Sequence, residues 1–369
     1  MKSIKKKILG INYEIQYDEE KKYSEKLIKE LSYYDEAYAT DIVMCIDTVK
    51  EPYIKSSNPK TQYSSENIFG INNTFMNIYW IKDSDKINKI IIKTKYDDIN
   101  SLMKTAHYIV GMDLTTAHDL IVKQLHENVF VPTVLLERKK ALIHGAAFKR
   151  GARNILIGGT GGSGKTSLML SQGKNVTFLS DDMVVVNTKR EIFPNYALPK
   201  IYAYNIVDDE VLKKKILETK NIFNKTLFSI MSVVDKKMVR ARTAPEVLYK
   251  LKKDDKNKNN KLDKYFLINR TNVLKTEVFK SSFYVVGQIS RRIIETEYSA
   301  FFNHLKWHDA NCLMNNFKNN FCYKKVLKEQ KYLMGKALKN VLVFQANVPI
   351  NIKHETFIKE VSKCLKKQS

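Results

Sequence analysis

The spacing of apolar residues divides the first 130 residues of the chain into short strands and helices. Extended patterns predict β-strands over KKILGINYEIQYD and TDIVMCIDT, whereas helical spacing predicts a helix over YSEKLIKELSYY. The polar segment EPYIKSSNPKTQYSSEN predicts a loop, and FMNIYWIKD with KINKIIIKTK predicts a hairpin that turns between Asp83 and Lys86. A helical pattern, broken near Gly111, then runs from Asp97 to about Phe130. The patterns in this half of the chain predict an α+β domain, and we find no catalytic or ligand-binding motif in it.

The pattern changes near Val131, where compact apolar runs begin to alternate with turns. ALIHGA and RNILIGG predict two strands, and NVTFLSDD and MVVVN predict two more after a short helix. This strand–loop–helix–strand order is typical of an α/β domain. Thr243 and Glu246 have the spacing of a capping box, which predicts a helix over TAPEVLYKL. We therefore expect a smaller α+β domain at residues 1–135, for which substrate recognition is one interpretation, and an α/β domain at residues 136–369.

A glycine-rich motif carries the clearest chemical signal in the chain. ILIGGTGGSGKTSLML contains the pattern G-x-x-x-x-G-K-[ST] between an apolar strand and a helix, which is the context that this phosphate-binding loop requires. Glycine permits the backbone to wrap closely around a phosphate, and the helix start directs its positive dipole end to the same group. Lys165 is expected to contact the β- and γ-phosphates, and the Thr166 hydroxyl to bind the bridging Mg²⁺. The predicted nucleotide-binding residues are Gly159, Thr160, Gly161, Gly162, Ser163, Gly164, Lys165, Thr166 and Ser167.

The glycine-rich loop predicts ATP and Mg²⁺ as ligands. Two aspartates and a histidine are the residues expected to act together with this loop. Asp181 and Asp182 follow the strand VTFLS directly, after a helix so short that the strand returns beside the loop. One carboxylate can then bind the metal ion, and the other can accept a proton from an incoming hydroxyl. His144 ends the strand ALIHGA upstream of the loop, where a structural role and a catalytic role are both open.

His144-Gly145, GTGGSGKTS (159–167) and SDD (180–182) together resemble the HPr kinase/phosphorylase family and the related ATP-dependent phosphoenolpyruvate carboxykinases. MVVVN and VRARTAPEVLYKL (239–251) also resemble the C-terminal half of that family. The resemblance implies an α/β P-loop domain of the HPr kinase/phosphoenolpyruvate carboxykinase type. It implies transfer of the γ-phosphoryl group of ATP to a serine of a peptide or small protein, such as a ribosomally made precursor peptide.

The same resemblance implies a role for each matching residue. Asp181 would be the general base, Lys165 would hold the phosphates, and His144 would support the aspartates or the metal ion. Thr166 and Asp182 would lie near the metal ion. The chain departs from the family at Ser167, where an acidic residue is usual, and it lacks the Glu-x-Arg-Gly signature. An ATPase or nucleotide switch that acts on a partner, and a small-molecule kinase, therefore stay open as alternatives.

Composition and charge limit the other partners. The formal charge is +24, but the lysines are dispersed and no nucleic-acid-binding signature accompanies them, so nucleic acid is not favoured. No apolar stretch reaches the ~18 residues of a membrane span. Four scattered cysteines without a CxxC pair fit a reducing compartment, and the sequence predicts a cytoplasmic protein. His304, His308 and Cys312 have the spacing of one helix face, for which ordinary packing is favoured over metal binding. The oligomeric state is open.

Overall fold

The protein is a mixed α/β structure with two large mixed sheets. The computed structural model describes residues 1–95, 122–206, 209–218, 220, 222–234, 239–251 and 259–367. These residues form two compact units: the first contains residues 1–95, 122–140 and 298–330, and the second contains the described residues of 141–297 and 331–367. Among the described residues, no helix is both long and apolar enough to cross a membrane.

The first unit is built on an eight-stranded sheet. Its strands are β1 (Lys2–Ile8), β2 (Ile11–Tyr17), β3 (Ile42–Ile46), β4 (Ser56–Ser57), β5 (Gln62–Ser65), β6 (Ile68–Asn72), β7 (Met76–Asp83) and β8 (Lys86–Thr94). They lie in the order β1-β2-β3-β8-β7-β6-β5-β4. β3 is parallel to both β2 and β8, and the other neighbours are antiparallel.

The second unit is built on a nine-stranded sheet and a separate two-stranded ribbon. Its strands are β9 (Ala141–Arg150), β10 (Arg153–Gly158), β11 (Thr177–Ser180), β12 (Met183–Val186), β13 (Ile192–Phe193), β14 (Lys200–Tyr202), β15 (Arg240–Arg242), β16 (Lys250–Leu251), β17 (Leu262–Thr271), β18 (Glu277–Lys280) and β19 (Leu342–Pro349). The sheet has the order β13-β12-β9-β10-β17-β19-β18, and β11 pairs with both β9 and β16. β10, β17 and β19 run parallel, so their carboxyl ends share one edge.

The α-helices, in chain order, are α1 (Ser24–Leu31), α2 (Val131–Glu137), α3 (Lys165–Leu170), α4 (Glu210–Glu218), α5 (Ile222–Val234), α6 (Pro245–Leu248), α7 (Phe283–Glu297), α8 (Ser299–Met314), α9 (Tyr323–Leu338) and α10 (His354–Lys367). A π-helical turn, His126–Phe130, leads into α2. In the second unit, α7 packs against β9 and β19, and α3 packs against β9 and α10. Because α7 buries Val286 and Ile293 in the core of the sheet, its end at Glu297 has a fixed position.

Several predicted elements of the N-terminal half are confirmed, and others are wrong. α1, β3 and the β7–β8 hairpin lie where the patterns predict them. The single strand predicted over KKILGINYEIQYD is instead the hairpin β1–β2, which turns at Leu9 (φ 51°) and Gly10 (φ 73°). A leucine at positive φ gives no turn signal, which is why the pattern conceals the reversal. The predicted loop at residues 51–67 contains β4 and β5. The helical segment predicted from Asp97 lies outside the described residues up to residue 121.

The predicted capping box at the start of α6 is wrong. The residue before the helix is Ala244, with an extended backbone and no side-chain cap. No described residue gives the buried Thr243 hydroxyl a hydrogen-bond partner. Pro245 at the first helical position needs no N–H partner and has a φ that suits a helix, so it sets the start of α6.

The first unit differs from the predicted domain because it includes residues 298–330. Phe69 of β6 packs its ring against Trp80 of β7 and against Phe301 of α8, with ring centroids 5.4 and 5.9 Å apart. In α8, His308 Nδ1 lies 3.0 Å from the Ser64 hydroxyl of β5. An apolar helix that packs on the sheet of the first unit belongs to its core, whatever its place in the chain.

The three metal-ligand candidates of α8 make contacts with side chains of β5 or with each other. His304 Nδ1 lies 3.1 Å from Gln62 Oε1, and His308 Nε2 lies 3.4 Å from the Cys312 sulfur. Burial lowers the pKa of His308 to about 4, with a smaller contribution from the charge of Lys82. These contacts support the structural interpretation of the histidines.

We expect Phe69→Ala to lower the free energy of unfolding by about 3–5 kcal/mol, because it removes a fully buried ring that α8 covers. Urea denaturation followed by circular dichroism measures the change. The control is Tyr53→Ala in the same unit, whose side chain is 83% exposed. It should change the free energy by less than about 0.5 kcal/mol. Equal effects of the two substitutions would contradict the packing described here.

Candidate active site

β9 positions the candidate site because its two edges pair with different strands. One edge pairs with β10, and the other pairs first with β12 and then with β11. His144 lies opposite Met183, and Ala147 lies opposite Ser180, so Asp181 and Asp182 fall in the interval between the two ladders. The Gly145 N–H donates to the Asp182 carbonyl at 3.0 Å across this interval.

Gly145 is required by the close approach of β10. A Cβ at this position would lie 2.7 Å from the carbonyl oxygen of Ile157, and real Cβ atoms do not come so near to an oxygen. Gly145 also pairs with Gly158, the last residue of β10. The histidine–glycine pair therefore has a structural reason that is separate from chemistry: the glycine brings the start of the glycine loop (Gly159–Gly164) beside His144.

The glycine loop connects β10 to α3 with its backbone partly in the left-handed region. Gly164, the residue before α3, has φ 103°, and a Cβ there would collide with the Phe357 ring. The Ser163 N–H donates to the Thr160 carbonyl at 3.2 Å and closes the loop. The Ser163 hydroxyl is buried and has no hydrogen-bond partner within the part of the chain that the structure describes. The predicted loop residues therefore form one compact turn, with Thr160, Gly161 and Gly162 at its exposed surface.

Lys165 begins α3 and turns back under the loop. Its ammonium donates to the carbonyls of Gly159 and Thr160 at 3.1 and 2.8 Å. Burial lowers the pKa of Lys165, and the charges of Asp182 and Asp181 oppose that effect. The ammonium is therefore held at the loop, near both carboxylates.

Asp181 lies beside the next residue of α3. The Thr166 hydroxyl lies 3.3 and 3.4 Å from the two carboxylate oxygens of Asp181, which is only 4% exposed. Burial raises the pKa of Asp181 to about 6, and the adjacent charge of Asp182 adds to the effect. A carboxyl group with such a pKa can take up and release a proton near neutral pH.

Asp182 has a different environment, and its pKa is lowered rather than raised. Its carboxylate accepts a hydrogen bond from His144 Nε2 at 3.1 Å and lies 3.5 Å from the Lys200 ammonium. Burial acts to raise the pKa of Asp182, but the His144 hydrogen bond and the charges of Lys200 and Lys165 outweigh it and hold the pKa well below its usual range. The side chain is 44% exposed, so these two partners rather than burial govern it. Asp182 has φ 69°.

Four residues at the site were not predicted from the sequence. Glu297 accepts from the Gly161 N–H at 2.7 Å, and Asn205 donates to the Ser167 hydroxyl at 2.7 Å. Arg270 donates to the Ser163 carbonyl at 3.3 Å, and Lys200 pairs with Asp182. None of them belongs to a local motif. Arg270 lies near the carboxyl end of β17, and nothing in the strand pattern distinguishes it from the other arginines of the chain.

The site has suitable groups for a polyphosphate and a divalent cation. Main-chain N–H groups of a glycine turn at a helix start bind phosphate oxygens, and the buried Ser163 hydroxyl adds an unused donor. The hydroxyl of Thr166 and the carboxylate of Asp181 are oxygen ligands of the type that Mg²⁺ prefers alongside water. Within the described residues, no group of three or more His, Cys, Asp or Glu side chains forms a metal cluster.

The sequence prediction assigned Thr166 and Asp182 to the metal ion and Asp181 to proton transfer. In the structure, Thr166 contacts Asp181, whereas Asp182 pairs with His144 and Lys200. The division of roles between the two aspartates therefore stays a prediction. No protein-family model matches this sequence, and no curated protein matches it. The functional argument accordingly depends on the geometry of the site.

Replacement of Gly164 by alanine is expected to destabilise the second unit through both backbone strain and collision with the Phe357 ring. Gly151→Ala is the matched control, because Gly151 also has positive φ (59°), and no described residue other than its chain neighbours lies within 4 Å of the added carbon. The control should cost about 1–2 kcal/mol. Gly164→Ala should cost about 1–3 kcal/mol more. Urea unfolding of both variants measures the difference, and equal costs would mean that the ring can move aside freely.

Proposed function

We propose that this protein is an ATP- and Mg²⁺-dependent kinase whose second unit is an α/β P-loop domain of the HPr kinase/phosphoenolpyruvate carboxykinase type. The observation that carries the proposal is the contact between Thr166 and Asp181 directly beside the glycine loop and Lys165. A glycine turn, a lysine, a hydroxyl and a buried carboxylate are the groups that phosphoryl transfer needs together. The proposed acceptor is a hydroxyl, most simply that of a serine in a peptide or small protein.

In this mechanism the chain contributes mainly positioning and charge. The loop N–H groups and Lys165 hold the triphosphate and stabilise the charge on its oxygens. Thr166, with one of the two aspartates, would hold Mg²⁺, which neutralises charge on the phosphates when it is bound. Asp181, with a pKa of about 6, accepts the proton of the acceptor hydroxyl as the oxygen attacks the γ-phosphorus and the bond to ADP breaks. His144 and Lys200 keep Asp182 charged beside this centre.

A proton acceptor beside the phosphates serves a kinase and an ATPase alike, so the requirement for a phosphoryl acceptor distinguishes the two functions. Two adjacent carboxylates with opposite pKa shifts separate the roles of proton acceptor and permanent anion. A kinase transfers the phosphoryl group only when an acceptor hydroxyl is positioned in its site. It therefore releases little free phosphate when that acceptor molecule is absent. The rival function, a nucleotide-dependent switch or ATPase, releases phosphate steadily. A small-molecule kinase would label a low-molecular-weight product instead.

Incubation with γ-labelled ATP, Mg²⁺ and serine-containing candidate peptides or a cell lysate tests the proposal. We expect label on a discrete polypeptide, with a loss of at least a hundredfold in Asp181→Asn because the base is absent. Lys165→Ala should lose activity through weaker phosphate binding. Lys174→Ala, which removes one charge just after α3 outside the site, is the control and should retain activity.

The same assay separates the rival functions. Steady phosphate release without a labelled acceptor would favour the ATPase, and label on a small metabolite would favour a small-molecule kinase. Full activity in Asp181→Asn would remove Asp181 as the base. In that case Asp182→Asn is the next variant to be measured, since the two aspartates share the candidate roles.

The raised pKa of Asp181 predicts the acid limb of the pH profile. The base works only when deprotonated, so kcat/KM should fall about tenfold per unit of pH below a midpoint near 6. Asp182→Asn removes the neighbouring negative charge and should move the midpoint to lower pH. Carbon-13 NMR titration of the aspartate carboxyl groups gives the same midpoint without relying on activity. A midpoint near the ordinary value of 3.8 in the wild type would contradict the proposed environment.

A further inference from the structure

Glu297, the last residue of α7, reaches the glycine loop from far away in the chain. Its Oε1 accepts the Gly161 N–H at 2.7 Å, a contact between residues 136 positions apart. The same oxygen lies 3.5 Å from Nδ1 of His144, whose Nε2 side is bonded to Asp182. Backbone N–H groups of a glycine loop are donors for phosphate oxygens. Glu297 therefore puts a carboxylate oxygen on a donor that the proposed function gives to the nucleotide.

The Gly161 hydrogen bond compensates for an otherwise unfavourable position of the Glu297 carboxylate at the end of α7. A carboxylate in the last turn of a helix faces the negative end of the helix dipole, which is unfavourable by itself. The hydrogen bond from the Gly161 N–H offsets that effect. Gly161 also permits the approach, because a Cβ there would lie 3.3 Å from Oε1. Among the described residues, no group forms a hydrogen bond with the buried Nδ1 of His144, and Glu297 Oε1 lies 3.5 Å from it.

We propose that Glu297 is a residue of the nucleotide site that competes with the triphosphate for the Gly161 N–H. This inference rests on the proposed function and adds a residue that limits nucleotide affinity. Two anions repel each other strongly in a partly buried site, so the phosphate must displace the carboxylate. Displacement also moves the Glu297 carboxylate away from His144. The surroundings of the His144–Asp182 pair therefore differ between the nucleotide-free and nucleotide-bound protein.

A cavity beside the loop can receive the displaced side chain. It has a volume of about 390 Å³ and is lined by Thr160, Glu297 and residues of α7 that include Arg291 and Arg292. Arg291 and Arg292, which both pair with Glu295, contribute positive charge to the wall of the cavity. Thr160, whose carbonyl accepts from Lys165, lies at the edge of the same cavity, so the cavity begins at the phosphate end of the site.

The test is the dissociation constant of Mg·ATP, measured by isothermal titration calorimetry with the full chain. Glu297→Gln keeps the size of the side chain and removes its charge. We expect it to bind Mg·ATP at least about tenfold more tightly than the wild type, because hydrogen bonds to charged groups are worth that factor or more. Glu297→Ala should also bind more tightly. A merely structural role for Glu297 would leave affinity unchanged or lower it, and circular dichroism with thermal unfolding checks that both variants fold.

Glu295→Gln is the matched control. It removes one negative charge two residues earlier, where the carboxylate pairs with Arg291 and Arg292 at 2.9 and 3.5 Å rather than with the loop. Its effect on affinity measures the general influence of charge and should stay within about twofold, as expected for a partly exposed ion pair. Unchanged or weaker binding in Glu297→Gln, or equal tightening in both variants, overturns the inference while the proposed function stands. If neither the wild type nor Glu297→Gln binds Mg·ATP, the proposed function fails and the inference fails with it.

Discussion

The candidate site depends on the way in which β9 divides one of its edges between two strands. β12 and β11 pair with successive parts of that edge, and the chain must leave the ladder between them. The two residues in this interval are Asp181 and Asp182. β10 on the opposite edge starts the glycine loop at the level of Gly145. A single strand therefore sets the distance between the acidic pair and the loop, and a shift in the register of β9 would separate them.

Electrostatics then distinguishes two carboxylates that are neighbours in the chain. Burial and the adjacent charge of Asp182 raise the pKa of Asp181, although the Thr166 hydroxyl and the charge of Lys165 oppose this effect. Asp182 lies between an imidazole and an ammonium group and keeps its charge. The two pKa values differ because the side chains of these adjacent residues, in the turn between β11 and β12, contact different neighbours. The opposite pKa shifts are thus a consequence of the fold and not of the residue type.

The glycine loop, Lys165 and the aspartates could be predicted from the sequence because a short local motif encodes them. The order of β9, β10 and α3 followed from local patterns in the same way. By contrast, Glu297 and Gly161 meet across 136 residues, and periodicity carries no information about such a contact. The return of α8 to the first unit was missed for the same reason, since an apolar helix face does not name the sheet that it covers. The turn at Leu9 was hidden because leucine seldom has positive φ.

The backbone at Asp182 restricts which residues that position can hold. Its φ of 69° lies in the left-handed region, which aspartate, asparagine and glycine accept far more easily than branched or bulky residues do. Glutamate would keep the charge and lose the local conformational tolerance, whereas asparagine keeps the conformation and loses the charge. Any variation at this position in related chains should thus follow backbone tolerance first and charge second. A glycine there would leave the turn intact while removing the carboxylate that contacts both His144 and Lys200.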